Sequence, residues 1–269
     1  MRFLCGLTLA FVLGSMLESR FLADQTEPTV GQPGKDVMWV PTPPELVEKM
    51  LDMAQVSARD VVMDLGSGDG RTVIAAAMRG AMARGIEYES DLVELSRQRA
   101  AEASVTDRAT FVTADLFDVD LSSASVVTMF LTPDINLQLR QRLLDLQPGT
   151  RIVSNTWDMD DWAADEVAVI DPCPSWCTSL LWYVPARVEG KWRSEQGELV
   201  LEQRFQLISG VLRLGDEELP LEGGRLRGDR ISFLAGDSRY TGLVVDASIE
   251  GTATAGDRTS GWVATRVER

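Results

Sequence analysis

Between Val61 and Ser154 the chain alternates short apolar runs with longer segments whose apolar positions recur at helical spacing. That is the rhythm of parallel βαβ units. Val61 to Leu65, Arg84 to Tyr88, Thr110 to Ala114, Val126 to Leu131 and Arg151 to Ser154 predict strands. Helices are expected near Thr72 to Arg79, Asp91 to Ala103 and Ile135 to Leu146, the last stopped by Pro148-Gly149. Upstream, Thr42-Pro43-Pro44-Glu45 reads as a capping box with proline at the first helical position, before Leu46, Val47, Met50, Leu51 and Ala54 on one face. After Trp157 and Trp162, the runs Val167 to Ile170 and Ser179 to Val184 predict a closing antiparallel pair. From Gly190 the texture changes. Alternating segments such as Glu198 to Leu207, Arg230 to Phe233 and Tyr240 to Ala247 are separated by Gly-Asp and Gly-Gly turns, which predicts a small antiparallel β domain, sandwich or barrel, with Trp192 and Trp262 as candidates to close its core.

The candidate chemistry lies where the first strand meets the first βα helix, at Asp64-Leu65-Gly66-Ser67-Gly68-Asp69-Gly70. Glycines at alternate positions permit a sharp turn and close approach of a ligand to the backbone, and the following helix start presents free N–H groups. A dinucleotide site has the spacing G-x-G-x-x-G. Here it is G-x-G-x-G with an acid two residues ahead, which suits a ligand carrying an ammonium group better than a pyrophosphate.

The acid-x-Gly-x-Gly-x-Gly string resembles motif I of the class I methyltransferases that use S-adenosylmethionine. The longer string Asp64 to Arg71, with Trp39-Val40-Pro41-Thr42-Pro43 upstream, is similar to the protein lysine methyltransferases related to the mitochondrial enzymes acting on the c subunit of ATP synthase and the adenine nucleotide translocase. The resemblance covers about residues 36 to 160. It implies an α/β, Rossmann-like seven-strand methyltransferase sheet, to which the alternating pattern after Gly190 adds the C-terminal β domain. The expected division is 1–23, a signal peptide or membrane anchor; 24–38, a linker; 39–187, the methyltransferase domain; and 188–269, the β domain. The cofactor contacts expected are Asp64, Gly66, Ser67, Gly68, Asp69 and Gly70, with Glu87 at the end of the second strand for the ribose hydroxyls, and Asp115 and Leu116 after the third for the adenine. Trp39, Pro41 and Thr42 are either a stiff helix entry or a lid. Phe130 and Thr132, after the fourth strand, occupy the usual acceptor position; Phe130 serves either the core or an ammonium group. No Asn/Asp-Pro-Pro-aromatic string stands there, against methylation of adenine or glutamine.

Composition narrows the chemistry. There is no histidine, so histidine triads and imidazole-ligated zinc are excluded, and no metal site is expected. Methyl transfer from a sulfonium needs neither; no residue qualifies by sequence as a general base, and the catalytic residues stay unassigned. The net charge of −15 repels a phosphate backbone and attracts a basic peptide. The expected function is therefore S-adenosylmethionine-dependent methyl transfer to a lysine nitrogen of a protein. A small-molecule N- or O-methyltransferase and a non-catalytic nucleoside-binding sensor or scaffold are the alternatives.

Residues 1–17 carry one arginine and then an apolar run too short for a comfortable membrane span. Gly14-Ser15 and Ala23 are candidate cleavage points, and residues 3–17 a candidate tether, so the protein is expected to be membrane-associated or exported, with a cytoplasm-facing site left open. Cys173 and Cys177, in Cys-Pro-Ser-Trp-Cys, are either a short disulfide loop or two thiols; the oligomeric state is also left open.

Overall fold

The computed structural model describes residues 27–34 and 37–267. The apolar segment at 1–23 lies outside the described residues; among those described, no helix is long and apolar enough to cross a membrane.

The first unit is a seven-stranded sheet in the order β3-β2-β1-β4-β5-β7-β6, built from β1 (Val61–Leu65), β2 (Met82–Glu87), β3 (Ala109–Thr113), β4 (Val126–Met129), β5 (Arg151–Asn155), β6 (Glu166–Val169) and β7 (Thr178–Tyr183). The first five are parallel, and β7 runs antiparallel between β5 and β6. Central strands read as near-continuous apolar runs because both faces are covered. One layer is Leu46, Met50 and Leu51 of α1 (Pro44–Met53) with Val73 and Ala76 of α2 (Arg71–Met78) and Val93 of α3 (Ser90–Glu102). The other is Ile135, Leu139 and Leu143 of α4 (Pro133–Leu144) with Trp162 and Trp182, whose indole N–H donates to the Trp162 carbonyl at 2.8 Å. The strand order reverses between β1 and β4, which opens a crevice at their carboxyl ends.

Element boundaries in this unit move by one or two residues from the sequence expectations, whereas the expected strand Glu198 to Leu207 beyond it is broken by a turn at 205–206, where Phe205 has positive φ; one local device also differs in kind. The expected capping box at Thr42 does not form: Pro43 is the residue before the helix and α1 has no side-chain cap. The Thr42 hydroxyl instead accepts a bond from Asn155 Nδ2 at 3.2 Å, tying the helix entry to the end of β5. The segment before it also turns back on itself, with Pro33 bridged to Met38 and Trp39 N–H donating to the Gln32 carbonyl.

The second unit is a closed antiparallel barrel of β8 (Gly190–Ser194), β9 (Glu198–Arg204), β10 (Leu207–Leu214), β11 (Glu217–Arg227), β12 (Arg230–Ala235), β13 (Ser238–Val245), β14 (Ser248–Ala255) and β15 (Arg258–Arg266), with β15 returning to pair with β8. Of the two architectures expected, the structure is the barrel. Trp192 and Trp262 are both buried in its core, where Trp262 meets Phe233 and Tyr240 edge-on at 5.9 and 5.5 Å. The barrel leans on the β6–β7 side of the sheet. Arg225 pairs with Asp165 at 2.7 Å, Arg227 lies over the Tyr183 ring at 4.4 Å, and Phe205 stacks on Trp162 at 5.9 Å.

Candidate cofactor and acceptor site

The glycine turn between β1 and α2 is shaped by its hydrogen bonds. Gly66 and Ser67 N–H both donate to the Ile86 carbonyl, at 2.9 and 3.0 Å, so the loop is pinned to the end of β2. Gly68 N–H donates to Glu87 Oε2 at 2.8 Å, while Tyr88 and Glu89 N–H donate to Oε1 at 2.8 and 3.0 Å. Three backbone donors thus fix this carboxylate at the cavity wall.

Two glycines have different reasons to be glycine. At Gly68 φ is +54°, and an added Cβ would come within 2.8 Å of Trp39 Nε1. The loop and the Trp39 segment approach across that gap. At Gly70 (φ +79°) a Cβ would meet Phe111 and Ser96 at 2.8 Å, on the packed side of the turn. Gly70 does not line the cavity; the other expected residues, Asp64, Gly66, Ser67, Gly68, Asp69, Glu87, Asp115 and Leu116, all do. The Ser67 hydroxyl is buried, has no hydrogen-bond partner among the described residues and lies where a Cβ on Gly85 would come within 2.5 Å, so it points toward β2.

The two acids of the motif differ in charge state. Burial pushes the Asp64 carboxyl up to about 7; the Thr128 hydroxyl, donating at 2.6 Å, opposes that rise, and the neighbouring Glu87 and Asp69 charges add to it. Among the described residues no cationic side chain pairs with it. Asp69 is also buried, which raises its carboxyl, but bonds from Arg71 and Arg99 outweigh burial and hold it below the ordinary range. Its carboxylate is thereby committed. Its place in the site is through Arg71, which also donates to the Thr42 carbonyl at 2.9 Å and so clamps the Trp39–Thr42 segment onto the glycine loop. Arg71→Lys keeps the charge and loses the fork. We expect several-fold faster dissociation of S-adenosylhomocysteine in stopped-flow displacement, with an unchanged melting temperature.

The cavity holds about 320 Å³ and reaches from this loop to Trp39, Pro41, Thr42, Phe130 and Thr132, so all the expected acceptor-side residues share one wall system. Asp115 accepts from the Phe117 N–H at 2.9 Å and turns the chain at the end of β3. Among the lining residues not singled out from the sequence as site residues are Arg71, Trp157 and Trp176. Trp176 lies in the loop closed by a Cys173–Cys177 disulfide, 5.7 Å from the Phe130 ring and 5.8 Å from that of Trp157.

These residues fit S-adenosylmethionine on three counts. A buried carboxylate without a cation suits the α-ammonium of its methionyl part, an oriented Glu87 suits the ribose hydroxyls, and the glycine turn leaves the backbone bare where a side chain would fill the cleft.

Residues 64–166 match the family model of the ANTKMT methyltransferase domain. A protein-lysine N-methyltransferase of Saccharolobus islandicus is 40% identical over 138 residues, half of this chain and 86% of the relative. The human lysine N-methyltransferase named for the C subunit of ATP synthase is 36% identical over 130 residues, and the chain spans 55% of its length. A crystal structure of an RNA methyltransferase from Salinibacter ruber with S-adenosylhomocysteine is 44% identical, covers 55% of this chain and 96% of its own, and superposes with a TM-score of 0.53. With the motif, the sheet order and these relatives in agreement, the chain belongs to the family of S-adenosylmethionine-dependent methyltransferases that the ANTKMT domain describes.

Proposed function

We propose that this methyltransferase modifies lysine nitrogens on a protein. The observation that carries the proposal is the 40% identity to a protein-lysine N-methyltransferase across 86% of that protein. The net charge of −15 supports a basic protein acceptor. RNA is the second reading, favoured by the activity named for the Salinibacter ruber protein. The same charge opposes it, because a chain that binds a phosphate backbone gains affinity by releasing counterions to cationic side chains.

When bound, S-adenosylmethionine supplies a methyl group activated by positive sulfur. The chain's own residues hold and exclude. Asp64 holds the methionyl end of the cofactor and Glu87 its ribose, Arg71 keeps the Trp39–Thr42 segment down, and Phe130 and Thr132 face the side from which an acceptor nitrogen arrives. Alignment of nitrogen with methyl is the main task left to the protein. The amine must lose its proton before it attacks, since its lone pair forms the C–N bond as the C–S bond breaks.

The test is incubation of the full chain with methyl-labelled cofactor and a whole-cell extract. Label is expected in protein as methylated lysine, with at least tenfold less from Glu87→Ala. Label in RNA or in extractable metabolites would overturn the lysine reading in favour of the corresponding acceptor. We infer further that residues 1–23 tether or export the chain. The Cys173–Cys177 disulfide supports this, because such bonds persist in oxidising compartments; fractionation of cells producing the full chain tests it.

A further inference from the structure

We propose that Trp176, carried on the Cys173–Cys177 loop, forms with Phe130 and Trp157 the subsite that receives the acceptor's alkylammonium group. This deepens the lysine reading and rests on it.

The three rings come from three separate places in the chain. Phe130 follows β4, Trp157 follows β5, and Trp176 stands in the connection from β6 to β7. All three line the cavity that also contains Asp64 and Glu87. Trp176 is the middle ring, tilted by 57° to Phe130 and by 52° to Trp157, so the trio offers ring faces in different planes rather than one flat stack. Such a surface attracts a cation whose charge is spread over methyl groups, because every ring carries negative density on its faces.

Trp176 is not placed there by ordinary core packing. It remains 37% exposed, and its φ is +58°, a left-handed conformation that a bulky L residue adopts only where its surroundings hold it. The surroundings are the disulfide, which links Cys177, the next residue, to Cys173, three residues before, and brings their Cα atoms to 5.9 Å. An exposed tryptophan in a strained conformation, held in a disulfide-closed loop and lining the cavity, is hard to explain by stability. It is explained by a binding face that must not collapse. Within the loop, Trp176 supplies the ring and the cysteines act as positioning residues.

The experiment uses the full chain saturated with S-adenosylhomocysteine. Two probes are titrated by NMR: Nα-acetyl-Nε-trimethyl-lysine methylamide, and its neutral isostere with carbon in place of the quaternary nitrogen. The wild-type protein is expected to bind the cation about tenfold more tightly than the isostere. Trp176→Leu, which keeps an apolar side chain without a ring, is expected to remove that preference while the dissociation constant for S-adenosylhomocysteine stays unchanged. Trp176→Phe is expected to retain most of it, which guards against misfolding as the cause. The Cys173→Ser, Cys177→Ser double variant is expected to weaken the preference in the same direction as Trp176→Leu. Equal binding of the two probes to wild type, or an undiminished preference in Trp176→Leu, would overturn the proposal. If the preference holds but labelled methyl appears only in RNA or metabolites, the lysine reading fails and the assignment of the rings to a lysine acceptor is overturned with it, while loss of the preference with label in protein lysine overturns the subsite alone.

Discussion

Asp64→Asn is expected to weaken S-adenosylhomocysteine binding at pH 8 by roughly 30- to 1000-fold, about 2–4 kcal/mol, and at the same time to raise the melting temperature of the ligand-free protein. Both effects have one cause. The carboxyl titrates at 3.8 when solvated and at about 7 in the fold. Because the folded value is the higher, Asp64 is harmless to stability below pH 3.8, becomes progressively destabilising as pH rises toward 7, and exacts its full cost above that. The full cost is on the order of 4 kcal/mol. Asparagine keeps an acceptor for the Thr128 hydroxyl and removes the charge, so the gain should appear at pH 8 and vanish near pH 4. Binding behaves oppositely. A ligand ammonium meets a neutral acid below pH 7, so wild-type affinity should fall about tenfold per pH unit there, with a proton released on binding, whereas the asparagine variant should be flat. Calorimetry in buffers of different ionisation enthalpy reads the released proton directly. Equal affinity of the two proteins at pH 8 would show that Asp64 does not face the ammonium.

Gly68→Val is expected to abolish measurable S-adenosylhomocysteine binding in the same calorimeter. Two costs add. A left-handed residue with a Cβ is disfavoured by about 1–2 kcal/mol. The new side chain also enters space 2.8 Å from Trp39 Nε1 and 3.2 Å from its Cδ1, so the Trp39 segment must lift off the loop. The backbone cost alone is isolated by Gly256→Ala, where φ is +59° but nothing lies within 4 Å. That variant should lose stability and keep full affinity. Were both variants to bind normally, the gap between Gly68 and Trp39 would not be part of the cofactor site.

What the sequence disclosed follows from which forces are local. Strands β1 to β5 are legible because a parallel sheet covered on both faces demands unbroken apolar runs, and the glycine turn because left-handed backbone demands glycine. Glu87 and Asp115 could be placed by counting strand ends. The misread capping box shows the limit of such counting: Thr42 and Glu45 have the right spacing, but Asn155, more than a hundred residues away, takes the hydroxyl. Asp69 is similar. Its position in the motif suggests ligand contact, while its partners Arg71 and Arg99 come from two different helices and become visible only when α2 and α3 pack side by side. Trp176 was beyond reach for the same reason. Its neighbours depend on the antiparallel return of β7 and on whether two cysteines join, and neither is encoded in local pattern.

Closure of the barrel has a consequence for how the molecule can meet an extended polypeptide. Each of its eight strands is hydrogen-bonded on both sides, because β15 returns to β8. The closing seam is short, Ala264 to Arg266 of β15 against β8, so Arg258 to Val263 of β15 pair with β14 alone and keep a short open edge on which an incoming chain could be added. Among the described strands longer rows lie at the two ends of the seven-stranded sheet, on β3 and β6. A peptide that joins the molecule through its main chain has these three edges to use, while the rest of the barrel meets a partner through side chains.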